Sequence, residues 1–120
     1  LDLSVLRGYG VFDYVQIYQG KAFHLQDHLE RFKWSAEQVE LTFPWDLSSL
    51  SQLVDELLAK NPPIDAGVRL LLTGGPSGQD QLLPETAPQL ILLFHPYTPP
   101  PERYYTKGMR ALTTNLLRII

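Results

Sequence analysis

Apolar residues recur along the chain with two periods. Residues 11–18 are β-branched and aromatic and alternate every second position, which predicts a strand opened by Gly8-Tyr9-Gly10. One face of that strand carries Val11, Val15 and Ile17 with Asp13, and the other carries Phe12, Tyr14, Gln16 and Tyr18. Gln19-Gly20 is a turn signal, and residues 21–24 read as the returning strand of a hairpin. The period then becomes helical. Leu25, Leu29, Phe32, Ala36 and Val39 define one helix face. After a break at Pro44, Asp46 is placed to cap a second helix with Leu47, Leu50, Leu53, Val54, Leu57 and Leu58 as its stripe. Asn61-Pro62-Pro63 ends it. Residues 67–73 and 89–95 predict strands around a loop at 74–88, and residues 109–117 predict a last strand.

Two strands, two helices and three strands in that order predict an α+β fold: a small two-layer domain, mainly antiparallel sheet with two helices on one face. Its 120 residues suit one domain. Thr98-Pro99-Pro100-Pro101 is a stiff connector within it, followed by further strand-like sequence. The chain starts at Leu1 and runs apolar to Ile120, so we expect a piece of a longer protein.

Composition removes several functions. Apolar residues are 44% and charged residues 19%, which is a globular balance. The net charge of −3 divides into five basic and nine acidic side chains in residues 1–60, and five and four in 61–120. No block of like charge offers a nucleic-acid surface. The absence of cysteine rules out disulfides, thiolate metal sites and a thiol nucleophile. No apolar run reaches membrane-span length.

The candidate chemistry is sparse. The Phe12, Tyr14, Gln16 and Tyr18 face suits either a flat ligand or cross-strand aromatic packing. His24, His28, Arg31 and Ser35 fall on one flank of the first helix, bordering its apolar face. Arg31 there can aim a guanidinium at phosphate or carboxylate, or pair with a nearby acid, and its truncation is expected to leave the core mostly intact. His24 and His28 are spaced as two metal ligands on a helix, but no third ligand accompanies them, and we assign no metal site. Arg69, within the apolar run Val68–Leu72, needs an acid of its own domain, solvent or a substrate carboxylate. Residues 74–78 are glycine-rich without the lysine and helix of a phosphate loop, and suit a turn at a site rim.

Gly8-Tyr9-Gly10-Val11-Phe12-Asp13, then Tyr18-Gln19-Gly20-Lys21, then His28-Leu29-Glu30-Arg31-Phe32 occur in an order and spacing that resembles the N-terminal domain of the class IV aminotransferases. These are the fold-type IV enzymes that use pyridoxal 5′-phosphate (PLP). The resemblance covers essentially the whole chain and is strongest over residues 6–36. It implies that Arg31 binds the PLP phosphate and that Phe12, Tyr14 and Gln16 line the substrate pocket. It gives His28 a structural role and places Arg7 in a loop that reaches the active site of a neighbouring subunit.

This sequence departs from the family pattern at several points. Asp13 stands where the family has glutamate. The tyrosine, arginine and histidine carboxylate trap of some D-amino-acid enzymes is replaced by Phe12, Gln79 and Gln81. Leu6-Arg7-Gly8-Tyr9-Gly10 and Val68-Arg69-Leu70 through Thr73-Gly74-Gly75 instead resemble a branch in which two arginines take the carboxylate work. The resemblance thus implies substrate binding by Arg7, Phe12, Tyr14, Gln16, Arg69, Thr73, Gly74 and Gly75. None of Lys21, Lys33, Lys60 or Lys107 matches the family's catalytic lysine, which is expected beyond Ile120 in a C-terminal domain absent from this chain.

The implied activity of the whole protein is PLP-dependent transamination between an amino acid, D-amino acids favoured, and a 2-oxo acid, in a cytoplasmic homodimer. Branched-chain L-amino-acid transamination, an aminodeoxychorismate lyase-like reaction and a non-catalytic α+β interaction domain are the alternatives.

Overall fold

The computed structural model describes residues 1–79 and 82–114. A short helix, α1 (Leu3–Arg7), leads into β1 (Gly10–Tyr18) and β2 (Lys21–Ala22). Helices α2 (Leu25–Gln38) and α3 (Leu47–Ala59) follow, then β3 (Ala66–Thr73), β4 (Gln89–Pro96) and a short α4 (Glu102–Thr106). The four strands form one antiparallel sheet in the order β2-β1-β3-β4.

The register settles which side chains share a face. Val15 pairs with Val68, and Val68 with Phe94; Asp13 pairs with Leu70, and Leu70 with Leu92. These rows face the helices. Val15, Ile17, Val68, Leu70 and Leu72 are fully buried there beneath Leu29, Phe32, Ala36, Leu50 and Val54. Each fully buried large side chain contributes about 1.5–3 kcal/mol relative to exposure, so this layer holds the domain together. Phe12 pairs with Leu71 and Ile91, and Tyr14 with Arg69 and Leu93; these rows form the other face, which no helix among the described residues covers.

The turns follow their sequence signals. Gln19 and Gly20 both adopt positive φ, 48° and 80°, as the two-residue hairpin turn requires. Asp46 caps α3 by accepting the Ser49 N–H at 2.8 Å. α2 ends without glycine: Glu40 takes φ 54°, and the N–H groups of Glu40 and Leu41 bond back to the carbonyls of Glu37 and Ala36. That is the Schellman pattern, and it folds Leu41 into the core in place of Val39, which is 44% exposed.

Five expectations need correction. Residues 3–7 form a helix, capped by Asp2 and closed by Gly8 at φ 67°, so Arg7 ends α1 rather than lying in a loop. The returning hairpin strand is two residues long, with His24 instead preceding α2 at φ 49°. The sequence after Pro101 forms α4, because Pro101 with its fixed φ suits a helix start. Met109–Thr114 is not a strand, which leaves four strands among the described residues; the rest of that expectation, residues 115–117, lies outside them. Leu53, placed in the α3 stripe, is 36% exposed.

Candidate active site

Asp13 is the inward-facing polar residue of β1 and is only 4% exposed. Packing of α2 on β1 brings the helix flank against it. Arg31 donates from Nε to Asp13 Oδ2 at 2.8 Å and from Nη2 to Oδ1 at 2.7 Å. Oδ1 also accepts the Tyr14 backbone N–H at 2.7 Å and lies 2.7 Å from His28 Nδ1. An ionised carboxylate only accepts, so His28 carries its proton on Nδ1 and donates it. The 3.0 Å approach of Arg31 Nη2 to the same nitrogen is then a contact between two donors sharing one oxygen.

Burial alone would push the Asp13 carboxyl up. The hydrogen bonds from Arg31, His28 and the Tyr14 N–H, with the Arg31 charge, outweigh it and hold the group below the ordinary carboxylate value. In return, the Asp13 bonds and charge raise Arg31 above its ordinary value. The Arg31 side chain nevertheless remains 61% exposed. A buried acid thus fixes one edge of the guanidinium plane, and Nη1 lies outside that fork.

The open face of the sheet carries the other candidates. Phe12 is 68% exposed and Tyr14 half-buried. Gln16 donates Nε2 to the Ala66 carbonyl at 2.9 Å, so its amide serves the sheet. Arg69 is exposed in the row of Tyr14 and Leu93. Among the described residues it has no acidic partner, and its side chain reaches solvent. Thr73 is buried, and its hydroxyl donates to Asp2 Oδ2 at 2.7 Å and accepts the Gly75 N–H at 3.2 Å. The Gly75 carbonyl accepts the Leu3 N–H at 2.9 Å, and the Gly74 N–H bonds to the Tyr9 carbonyl at 3.0 Å. Thr73, Gly74 and Gly75 therefore anchor α1, whose last residue is Arg7. Arg7, Gly8 and Tyr9 face Leu82, Leu83 and Pro84 across a cleft of about 430 Å³.

The structure thus joins Arg31, His28 and Asp13 into one cluster, and Phe12, Tyr14 and Arg69 into one face. His24 stands apart, paired with Asp27 at 2.7 Å. Of the two glutamines in the carboxylate-trap positions, Gln79 is exposed and Gln81 lies outside the described residues. Sequence reasoning missed Asp13 as the partner of Arg31, although an acid alternating with Val15 and Ile17 was the available signal.

Comparison with known proteins agrees with this architecture. Residues 10–119 match the family model for amino-transferase class IV. The chain is 30% identical over 119 residues to a D-alanine aminotransferase of Staphylococcus epidermidis, covering 98% of this chain and 42% of that protein. It is 30% identical to one from Listeria innocua, covering 93% and 41%. It therefore spans about two-fifths of the length of the curated relatives it matches. Among solved structures, a branched-chain amino acid aminotransferase of Escherichia coli superposes with TM-score 0.72 at 20% identity, over 80% of this chain and 33% of that one. A putative 4-amino-4-deoxychorismate lyase of Legionella pneumophila does so with TM-score 0.74 at 22% identity, over 82% and 37%. A PLP-bound hypothetical aminotransferase of Mycobacterium tuberculosis gives 0.65 at 26% identity, over 88% and 34%. With the sheet, the helix arginine and its buried acid in place, the chain belongs to the class IV aminotransferases.

Proposed function

We propose that this chain supplies the small-domain half of a PLP-dependent transaminase active site that moves an amino group between an amino acid, D-amino acids first, and a 2-oxo acid. The observation that carries the reading is the Asp13–Arg31 fork: an exposed guanidinium held by a buried carboxylate. Such an arginine is ordered before any ligand arrives, and its outer edge suits a phosphate oxygen. The donor set therefore fits PLP, which when bound supplies the electron sink for the chemistry at the substrate α-carbon.

The remaining roles belong to this chain's residues. Arg31 holds the phosphate. Phe12 and Tyr14 cover the substrate and exclude water from it. Arg69 takes a substrate carboxylate, and Arg7 extends toward the site of the second subunit of a cytoplasmic homodimer. Thr73, Gly74, Gly75 and Gln16 act through the backbone they fix, since the Thr73 hydroxyl and Gln16 amide are already bonded within the domain. Lys21, Lys33, Lys60 and Lys107 are all exposed, and the proposal places the catalytic lysine in sequence following Ile120. The D-alanine aminotransferases among the relatives favour D-amino acids, whereas likeness to the branched-chain and lyase structures at 20–22% identity is likeness of fold.

The test is Arg31→Ala in the whole protein. Loss of a charge-assisted bond of about 1.5–3 kcal/mol raises the PLP dissociation constant at least tenfold. The buried Asp13 also loses its main partner, so this truncation lowers stability too, contrary to the expectation of an undisturbed core. Affinity is therefore measured well below the unfolding temperature, with Arg31→Lys as the variant that keeps the charge and loses the fork. Unchanged PLP affinity in both variants refutes the assignment.

A further inference from the structure

β4 brings to the open face a histidine, His95, that lies outside the segments carrying the family resemblance. His95 stands in register with Gly67 of β3, and Gly67 with Gln16 of β1. The next row on the same face is Tyr14, Arg69 and Leu93. The Tyr14 ring leans along the face and lies over Gly67, with its hydroxyl and outer ring carbons where a Cβ on residue 67 would stand. Its centre is 5.5 Å from that of the His95 ring, the planes tilted by 35°. His95 Nε2 is buried without a hydrogen-bond partner among the described residues.

Gly67 has no positive φ, so the backbone does not require glycine there. A glycine inside a strand weakens it and marks a close approach. Here the approaching group is the Tyr14 ring. His95 remains beside that ring although its Nε2 gains no bond, and a buried polar atom left unpaired calls for a reason beyond stability.

We propose that Gly67 and His95 form a seat for Tyr14 that fixes how far its ring stands above the sheet, and so selects the size of amino-acid side chain accepted. The inference rests on the functional reading above, in which this face lines the substrate pocket. With the ring down on Gly67, space beside Arg69 is open to a bulky side chain. A Cβ at residue 67 lifts the ring into that space. Tyr14 can rotate to relieve the contact, so the variant folds and the effect appears in selectivity. His95 is a positioning residue: it holds the ring laterally and need not touch substrate.

The experiment uses the whole PLP-loaded protein, with alanine and leucine of whichever enantiomer the wild type accepts. Gly67→Ala lowers the leucine-to-alanine ratio of kcat/KM at least tenfold through the KM for leucine, with PLP content unchanged. Adding Tyr14→Ala to Gly67→Ala restores the ratio to the wild-type value or above, because the lifted ring is gone. His95→Ala frees the ring sideways and raises the ratio. Independently of turnover, the His95 ring proton resonances shift in Gly67→Ala as the Tyr14 ring current moves. A transaminating wild type whose ratio is unchanged by Gly67→Ala overturns this inference alone. Unmoved His95 resonances overturn the seat itself. A wild type that transfers no amino group from any amino acid overturns the functional reading, and the selectivity role with it, even where the resonances shift.

Discussion

Asp13 carries more of the molecule than its place in an apolar strand suggests. Its carboxylate receives four donors, and its depressed pKa links folding to pH. A carboxyl whose pKa is lower folded than unfolded contributes stability that is fully present above the unfolded value of about 3.9 and is lost as pH falls through the folded value. Asp13→Asn removes the charge and keeps the shape. At pH 7 it is expected to lower unfolding free energy by about 2 kcal/mol, moderate for a buried charge-assisted pair because Arg31, left alone, is still solvated. Denaturant titrations at pH 7 and at pH 3 check the sign: the gap between wild type and variant narrows at the lower pH. A gap that widens there contradicts the direction of the shift. Alternation alone showed that Asp13 points inward, and the helical period put Arg31 at the edge of its stripe. That the two meet depends on how α2 crosses β1, a tertiary fact that neither period encodes.

At the scale of elements, the segments that speak through one dominant local cause were legible. The alternation of β1, the 3.6-residue stripe of α2 from Leu25 to Ala36, the Gln19-Gly20 turn and the Asp46 cap each appear where the sequence put them. The misses share a different cause, since contacts from elsewhere override weak local preference. α1 has five residues, too few to persist alone, and is held by the Asp2–Thr73 bond and the Gly75 carbonyl. Residues 109–114 are apolar enough to read as a strand yet do not form one. The end of α2 was obscured because a glutamate occupies the left-handed position usually taken by glycine. Holding a non-glycine residue there costs about 1 kcal/mol, which predicts that Glu40→Gly stabilises the protein by about 0.5–1 kcal/mol. Thermal or denaturant unfolding reads this directly. Destabilisation would mean that the exposed Glu40 side chain contributes more than its backbone strain costs.

Among the described residues the sheet has one face covered by helices and one left open, and two of the three arginines proposed to meet ligands, Arg31 and Arg69, stand at the margins of the core. Arg31 is tied to a buried acid, whereas Arg69 stands in an apolar strand with no acidic partner among the described residues. That contrast separates their predicted phenotypes. A ligand carboxylate meeting Arg69 between apolar neighbours such as Leu71 and Leu93 would be largely desolvated, and losing one partner of such a pair costs about 2–5 kcal/mol. Arg69→Leu in the whole protein is therefore expected to lower kcat/KM by well over tenfold while PLP stays bound, since the cofactor anchor is a separate side chain on a separate element. The leucine suits the strand and leaves no charge to satisfy, so folding is not at risk. Arg7→Leu is expected to act on the same parameter and most strongly with dicarboxylic substrates, because two arginines can hold both carboxylates of glutamate. Following the D- and L-glutamate half-reactions separately by cofactor absorbance checks both variants and the preferred hand at once. Wild-type rates in both variants would remove the arginines from the site, and a wild type that accepts only L-glutamate would move the substrate reading to the branched-chain side of the family.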